Sequence, residues 1–437
     1  MDNLDHELKV GIVGGGYAGF AAAVTLADRG IPVTMFESAP QLGGRARGVG
    51  YRDAQLDNGQ HLLLGCYHET LRLIEKVGGN IQADFLRLPL QLDLHGEFSL
   101  HASRLPAPLH LLHALLSAKG LSFASRLRAV RFMLALQRKE FRLGADMPVS
   151  ELLAHHGQDA ELVAKLWEPL CIAALNTPIR KASAQILLNV LRDTLGKERA
   201  DSDMLLPRVN FTALFPERAA SFVTNRNGNV HTCCSVTSLQ QVGAGIQLST
   251  GDTTGHFDYV ICATSPSVAA KLIRPITALA GTAAILDTLE HQPIYTVYLQ
   301  YPPHVALPHP MLGLRNRYAQ WVFDKGSIAA QHGLLAAVIS AEGVHQNLGQ
   351  DELAHKMVAE LRDDLNILEE PLWIRVIAEK RATFCCTPNL LRPTQRTLVP
   401  ALLLAGDYTA GEYPATLEGA VLSGLKCANL ICERAGG

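Results

Sequence analysis

The stretch KVGIVGGGYAGFAAAVTLADRGIPVTMFE, residues 9–37, decides the fold. Lys9 to Val13 reads as a short buried strand. Gly14-x-Gly16-x-x-Gly19 follows, and then a small-residue run to Gly30 with the character of a helix. Val33 to Phe36 reads as a second strand, closed by Glu37. Each part has a physical task. Gly14 permits a tight turn, and Gly16 lets backbone N–H groups approach a pyrophosphate at a helix N-terminus. Gly19 allows that helix to pack close to the sheet. Glu37 lies where a carboxylate accepts hydrogen bonds from an adenosine ribose. The expectation is a βαβ dinucleotide site.

Working outward, SAPQLGGRARG places Gly43, Gly44, Arg45 and Arg47 at the exit of the second strand, where they can wrap a phosphate-bearing cofactor. The polar cluster Asp57-Asn58-Gly59-Gln60-His61 precedes another apolar run. Near the C-terminus, LAGDYTAGEYPATLEGAVLSG (404–424) follows a second buried strand. By itself it allows an ordinary strand–loop–helix ending. Beside residues 14–37, its Gly406 and Asp407 read as the second half of one site. Phe257 to Ala263 is a further buried strand, and its small-residue end, Thr264-Ser265, can pass under a cofactor.

Composition bounds the rest. The 437 residues suggest two or three domains, and the net charge of -2 gives no sign of nucleic-acid binding. The nine cysteines include no CxxC spacing, so neither a disulfide framework nor a metal site is expected, and a reduced cytoplasmic setting fits. The first residues do not read as a signal peptide, and no apolar run is long enough to span a membrane. Residues 101–142 carry eight basic residues against one acid, Glu140, interleaved with leucines at helical spacing. Two helices with solvated basic faces explain this pattern, and so does a surface resting on anionic lipid. LWEPLCIAALNT (166–177) reads as a helix giving way at Pro169, either as core or as the wall of an apolar pocket. DSDMLLP (201–207) reads as a turn or linker. Strands are expected at 293–299, 319–323, 334–340 and 373–378, with a helix over 350–366. Tyr295, Tyr298, Tyr318, Trp321 and Phe323 are candidate cavity aromatics.

The N-terminal segment resembles the flavin amine oxidase and phytoene desaturase superfamily in its GxGxxG, Glu37 and Gly43-Gly44-Arg45. The resemblance implies an α/β fold: a Rossmann-like FAD-binding domain assembled from 1–98, 205–275 and 385–437. A helical, membrane-facing region at 99–204 and an inserted α+β substrate domain at 276–384 complete it. It implies a backbone contact from Val236 to the adenine and a contact from Asp407 to the ribityl–pyrophosphate region. The turn ending at Thr416 would run beside the flavin ring. The internal segments Leu166–Cys171, Leu175–Thr177, Gln320–Asp324 and Lys380–Phe384 are similar to the hydroxysqualene dehydroxylase family. That likeness implies reductive removal of a hydroxyl from a long-chain isoprenoid, with an external electron donor to recharge FAD. The alternatives are desaturation of a polyisoprenoid such as a carotenoid precursor, and a non-catalytic flavin- or lipid-binding protein. Asp57, His61 and Glu412 are the candidate proton donors, and the expected setting is cytoplasmic, with peripheral contact to an anionic membrane as one of the two readings of residues 101–142.

Overall fold

The computed structural model describes residues 8–195 and 198–435. Val10–Val13 forms the centre of a five-stranded parallel sheet in the order Asn229–His231, Val33–Phe36, Val10–Val13, Tyr259–Cys262, Leu402–Leu404. The central strand is buried along its length, as strands covered on both faces must be. The helix Tyr17–Asp28 covers one face with Ala21, Ala22 and Ala23, and the last helix, Leu417–Ala435, packs beside it. The sheet therefore draws strands from the two ends of the chain and from its middle, giving the Rossmann-like domain in discontinuous pieces. A three-stranded antiparallel sheet, Ser238–Val242, Gly245–Ser249 and Thr254–Phe257, is inserted before the fourth of these strands in chain order.

The second large sheet has seven strands, in the order Trp373–Phe384, His291–Gln300, Leu334–Ser340, Trp321–Asp324, Met311–Gly313, Gln91–Leu94, Phe98–His101. Its pairs are antiparallel except where Gly313 meets Leu94. The helix Gln350–Leu365 packs against its outer face through Leu353, Met357 and Leu361. The hairpin 91–101 thus belongs to the sheet of the substrate region, and the boundary expected at 98 falls inside it. The boundary expected at 205 likewise cuts the strand Met204–Pro207, which pairs with Leu63–Leu64 and Phe85–Leu88. That strand is fully buried, so 201–207 is not the linker its Asp and Pro residues suggested.

Pro169 does not end its helix. Ala160–Leu162 runs into a π-helical turn, Val163–Trp167, and then into Glu168–Leu175. Pro169 sits in the first turn of that last piece, where its missing N–H is tolerated, and the π turn absorbs the change in bonding. The helix stops instead at Asn176, in the left-handed conformation. Its side chain donates to Pro293 O (3.3 Å) and Thr383 Oγ1 (2.9 Å) and accepts from Ala341 N (2.6 Å). One residue thereby ties the helical region to three neighbouring strands or strand ends of the large sheet.

Candidate active site

A cavity of about 710 Å³ runs between the two large sheets, within the size range of cofactor and small-ligand sites. One end is built from the glycine turn. Gly14 has φ +110°, and a Cβ there would press on the Ala263 carbonyl oxygen, so only glycine fits. A Cβ on Gly19 would overlap the Gly14 carbonyl, which confirms its packing role; Gly19 itself does not line the cavity. Gly16, Tyr17 and Ala18 place the start of the helix Tyr17–Asp28 on the wall, with no side-chain cap and no acid in its first turn. Those N-terminal amides favour an anion.

Glu37 lies at the adjoining corner. Its Oε2 accepts from Gly15 N (2.7 Å), and its Oε1 accepts from Ala39 N (2.8 Å) and from the Ser38 hydroxyl (3.2 Å). Val236 lines the cavity nearby with Cys234 and Ser235. Gly43, Gly44 and Arg45 form the next stretch of wall. Arg45 donates to Ala382 O (2.7 Å) and makes a 2.5 Å ion pair with Asp407, 362 residues away. Gly406, Asp407 and Thr416 complete this end, and Thr416 Oγ1 caps the last helix by accepting from Gly419 N (3.1 Å). Every expected cofactor residue except Gly19 therefore faces one space. The same space holds a helix N-terminus, the Glu37 carboxylate and the Arg45 guanidinium.

The other end is apolar. Leu170, Ile172, Ala173, Leu187, Val190 and Leu191 wall one side, and Ile294, Met311, Trp321, Phe323 and Val338 from the seven-stranded sheet wall the opposite side. Trp321 and Phe323 are the expected aromatics. Tyr295, Tyr298 and Tyr318 do not line the cavity; Tyr295 and Tyr298 are buried within the protein.

The three candidate proton donors separate. His61 lines the cavity, and its Nδ1 donates to Gly59 O (2.6 Å), which leaves Nε2 as an acceptor in the neutral ring. Burial, with the Arg45 charge, holds this imidazole below its usual value. Asp57 is off the cavity wall. Its carboxylate accepts from Phe211 N (2.9 Å), and the Tyr298 hydroxyl donates to its carbonyl (3.0 Å). Burial pushes its carboxyl up to about 6, while Lys325 opposes the rise. Glu412 is also outside: its side chain is 65% exposed and pairs with Arg192 at 2.8 Å. Neither Asp57 nor Glu412 is placed to give a proton to a molecule in the cavity.

Other wall residues were not among the expected site residues. Asn58, from the expected polar cluster, bridges Arg45 O (3.2 Å) and Glu379 Oε2 (3.1 Å), and Glu379 lines the cavity. Tyr413, inside the quoted C-terminal stretch, also lines it. Glu418 has a structural task. It accepts from Glu69 N (3.1 Å), Thr70 N (2.9 Å) and Thr70 Oγ1 (2.6 Å), so it caps the helix His68–Lys76.

The fold and this cleft define the class: the chain belongs to the flavin containing amine oxidoreductase family, whose pattern matches residues 17–432. It is a FAD-dependent oxidoreductase. Among relatives, it is 28% identical to hydroxysqualene dehydroxylase of Sinorhizobium fredii, over 97% of this chain and 98% of that one. Identity and coverage are the same for the protein of that name from Rhodopseudomonas palustris. It is 24% identical to a zeta-carotene desaturase of Arabidopsis thaliana, over 98% of this chain and 86% of that one. In fold it matches an oxidoreductase from Methanosarcina mazei, with TM-score 0.75, 15% identity and coverage of 97% and 100% of the two chains. Cyclohexylamine oxidase from Brevibacterium oxydans gives TM-score 0.72 at 16% identity, over 99% and 100%.

Proposed function

We propose that the chain catalyses FAD-dependent reductive dehydroxylation of hydroxysqualene to squalene. The observation that carries this reading is the apolar chamber continuous with the cofactor cleft, walled by leucines on one side and by Trp321 and Phe323 on the other. The likeness to hydroxysqualene dehydroxylases over nearly the whole chain supports the same substrate class. In this reading Gly14, Gly16 and the helix start hold the pyrophosphate, Glu37 the ribose, and Val236 the adenine. Arg45 and Asp407 lie along the ribityl–pyrophosphate stretch, and Thr416 borders the ring. When bound and reduced, FAD supplies hydride at this end of the chamber. Loss of an allylic hydroxyl leaves a delocalised cation, and the apolar walls keep water from it. An external electron donor recharges the cofactor.

The substrate class also fits the outer surface. The helices Leu109–Ser117 and Phe123–Arg138 bury Ala114, Ala129 and Phe132, and leave Leu109, Leu116, Phe123 and Leu134 exposed, with Leu105 exposed just before them. Arg131, Arg138, Lys139 and Arg142 are exposed on the same segment and make no ion pair among the described residues. This segment begins beside the chamber: Ala102 N donates to the carbonyl of Leu90, a chamber residue, at 2.8 Å. A peripheral seat on anionic lipid, at the inner face of the cytoplasmic membrane, would feed a lipid substrate inward. Among the described residues no helix is long and apolar enough to cross a membrane.

Desaturation of a polyisoprenoid is the second reading, favoured by the likeness to zeta-carotene desaturases. Anaerobic incubation of the reduced, FAD-loaded protein with hydroxysqualene tests the choice. Squalene is the expected product. Desaturated product from the oxidised enzyme, with no squalene from the reduced one, overturns it.

A further inference from the structure

Hydroxide cannot leave into an apolar chamber without a proton, and desaturation cannot finish without losing one. The wall therefore needs a group that reaches both the chamber and water. His61 is a poor source, because its Nδ1–H is fixed in the ring plane on Gly59 O and cannot turn to a substrate as a hydroxyl hydrogen can, and its free nitrogen only accepts. The Cys66 thiol, also on the wall, is pushed up to about 12 by burial.

Tyr413 has the required connections. It lines the chamber, and its hydroxyl donates to Asp193 Oδ2 at 2.7 Å. Asp193 stands on the helix Ala184–Leu195, whose Leu187, Val190, Leu191 and Thr194 form chamber wall. Its carboxylate is 24% exposed and is held by Arg192 through Nε (2.7 Å) and Nη2 (3.1 Å). Arg192 is held in turn by the surface carboxylate of Glu412. Asn189 Nδ2 donates to Glu412 O (3.0 Å), and Arg392 Nη1 to Tyr413 O (3.0 Å), so the loop carrying the phenol is fixed from two sides. Cys66 and Glu418 are the other titratable groups facing the phenol, and Glu418 is occupied by Thr70. Burial and Asp193 hold the phenol well above its usual range, so it remains protonated at neutral pH.

We infer that Tyr413 and Asp193 form the proton path between solvent and the chamber, with Tyr413 as the group that meets the substrate. The inference rests on the isoprenoid reading above for its direction. In dehydroxylation the substrate C–O bond breaks, and the departing oxygen takes the Tyr413 proton and leaves as water. Tyr413 is refilled from Asp193, and Asp193 from solvent. The carbon receives hydride from the reduced cofactor, so the substrate gains two electrons and the flavin loses them. In desaturation the same path runs outward: the Tyr413 oxygen accepts the substrate proton while its own passes to Asp193, and hydride goes to oxidised flavin.

The test uses full-length, FAD-loaded Tyr413→Phe and Asp193→Asn. Reduced enzyme is assayed with hydroxysqualene and oxidised enzyme with a polyisoprene. Flavin content and squalene binding, read by protein fluorescence, are measured alongside. Tyr413→Phe is expected to lower turnover by about 100-fold with binding and flavin content unchanged. Asp193→Asn is expected to lower it by about tenfold and to alter the pH profile and solvent isotope effect. Tyr413→Phe turnover within about twofold of wild type overturns the proton path. If only the oxidative reaction runs and it is sensitive to Tyr413→Phe, the path stands and dehydroxylation falls. If the reductive reaction runs and is insensitive, dehydroxylation stands and the path falls.

Discussion

Glu37→Ala separates two tasks carried by one carboxylate. Glu37 is 9% exposed and accepts from Gly15 N at 2.7 Å and Ala39 N at 2.8 Å. It therefore holds the glycine turn in shape. A hydrogen bond to a charged acceptor contributes about 1.5–3 kcal/mol net. Gly14 and Gly16, either side of Gly15, both line the cavity, so water can replace part of the loss after truncation. The apo protein should lose about 2–3 kcal/mol, less than two full bonds. Ribose hydroxyls would meet the same carboxylate, and losing that contact should weaken FAD binding by about 10–100-fold. Glu37→Gln retains one oxygen acceptor and should fall between the two. Denaturant unfolding of the apo protein reads the first effect, and titration of FAD by flavin fluorescence quenching reads the second. An apo Glu37→Ala protein that unfolds at the wild-type midpoint refutes the turn-holding role. FAD affinity within about twofold of wild type refutes the ribose role.

Asp57→Asn keeps an oxygen for Phe211 N–H, and turnover is expected to stay within about threefold of wild type. The Asp57 carboxyl, at about 6 in the fold, lies above its unfolded value of about 3.9. The native state thus holds an extra proton on this group between these values, and the contribution of Asp57 to stability falls as pH rises from about 4 to 6. The difference in denaturant midpoint between wild type and Asp57→Asn should therefore change across that range, with wild type losing ground as pH rises. Glu412→Gln removes an exposed partner of Arg192 and should leave steady-state turnover and FAD content close to wild type. Leu109→Glu with Phe123→Glu should abolish flotation with anionic liposomes, and wild-type flotation should weaken as salt is raised. Flotation of the double variant equal to wild type would remove those helices from the lipid surface.

The parts legible in the sequence were those whose chemistry is local. The spacing from Gly14 to Glu37 is set by one turn, one helix and one strand, so residue type and distance along the chain suffice. The failures came from deciding which way a side chain points. Asp57 ends the strand Ala54–Asp57 and is turned away from the cavity, whereas the bend that follows carries Asn58 to His61 along its wall. Glu412 and Tyr413 divide in another bend, one to solvent and one to the chamber. In the large sheet, Trp321 pairs with Val338 and Ile294 with Ser340, and these four share the chamber face. Tyr295 therefore points to the opposite face with Val297 and Leu299. Alternation was visible in the sequence; its phase was fixed only by pairing with strands tens of residues away. Pro169 and the strand 204–207 were misread for a related reason: tertiary burial overrode the local breaker signal.

The two ends of the chain meet through contacts that need no cofactor. Leu402–Leu404 completes the parallel sheet beside Tyr259–Cys262. Glu418, in the first turn of the last helix, caps a helix that begins at His68. Arg45 reaches Asp407 across the cleft. A carboxylate taken up by Thr70 and a helix fixed at both its start and its apolar face leave Thr416 little freedom to move relative to Gly16. The same contacts fix the loop 406–416, and with it Tyr413, against the helix Ala184–Leu195. Cofactor position and chamber wall are thus coupled through one short loop, so a substitution that loosens Asp407 should disturb both FAD retention and the placement of the phenol.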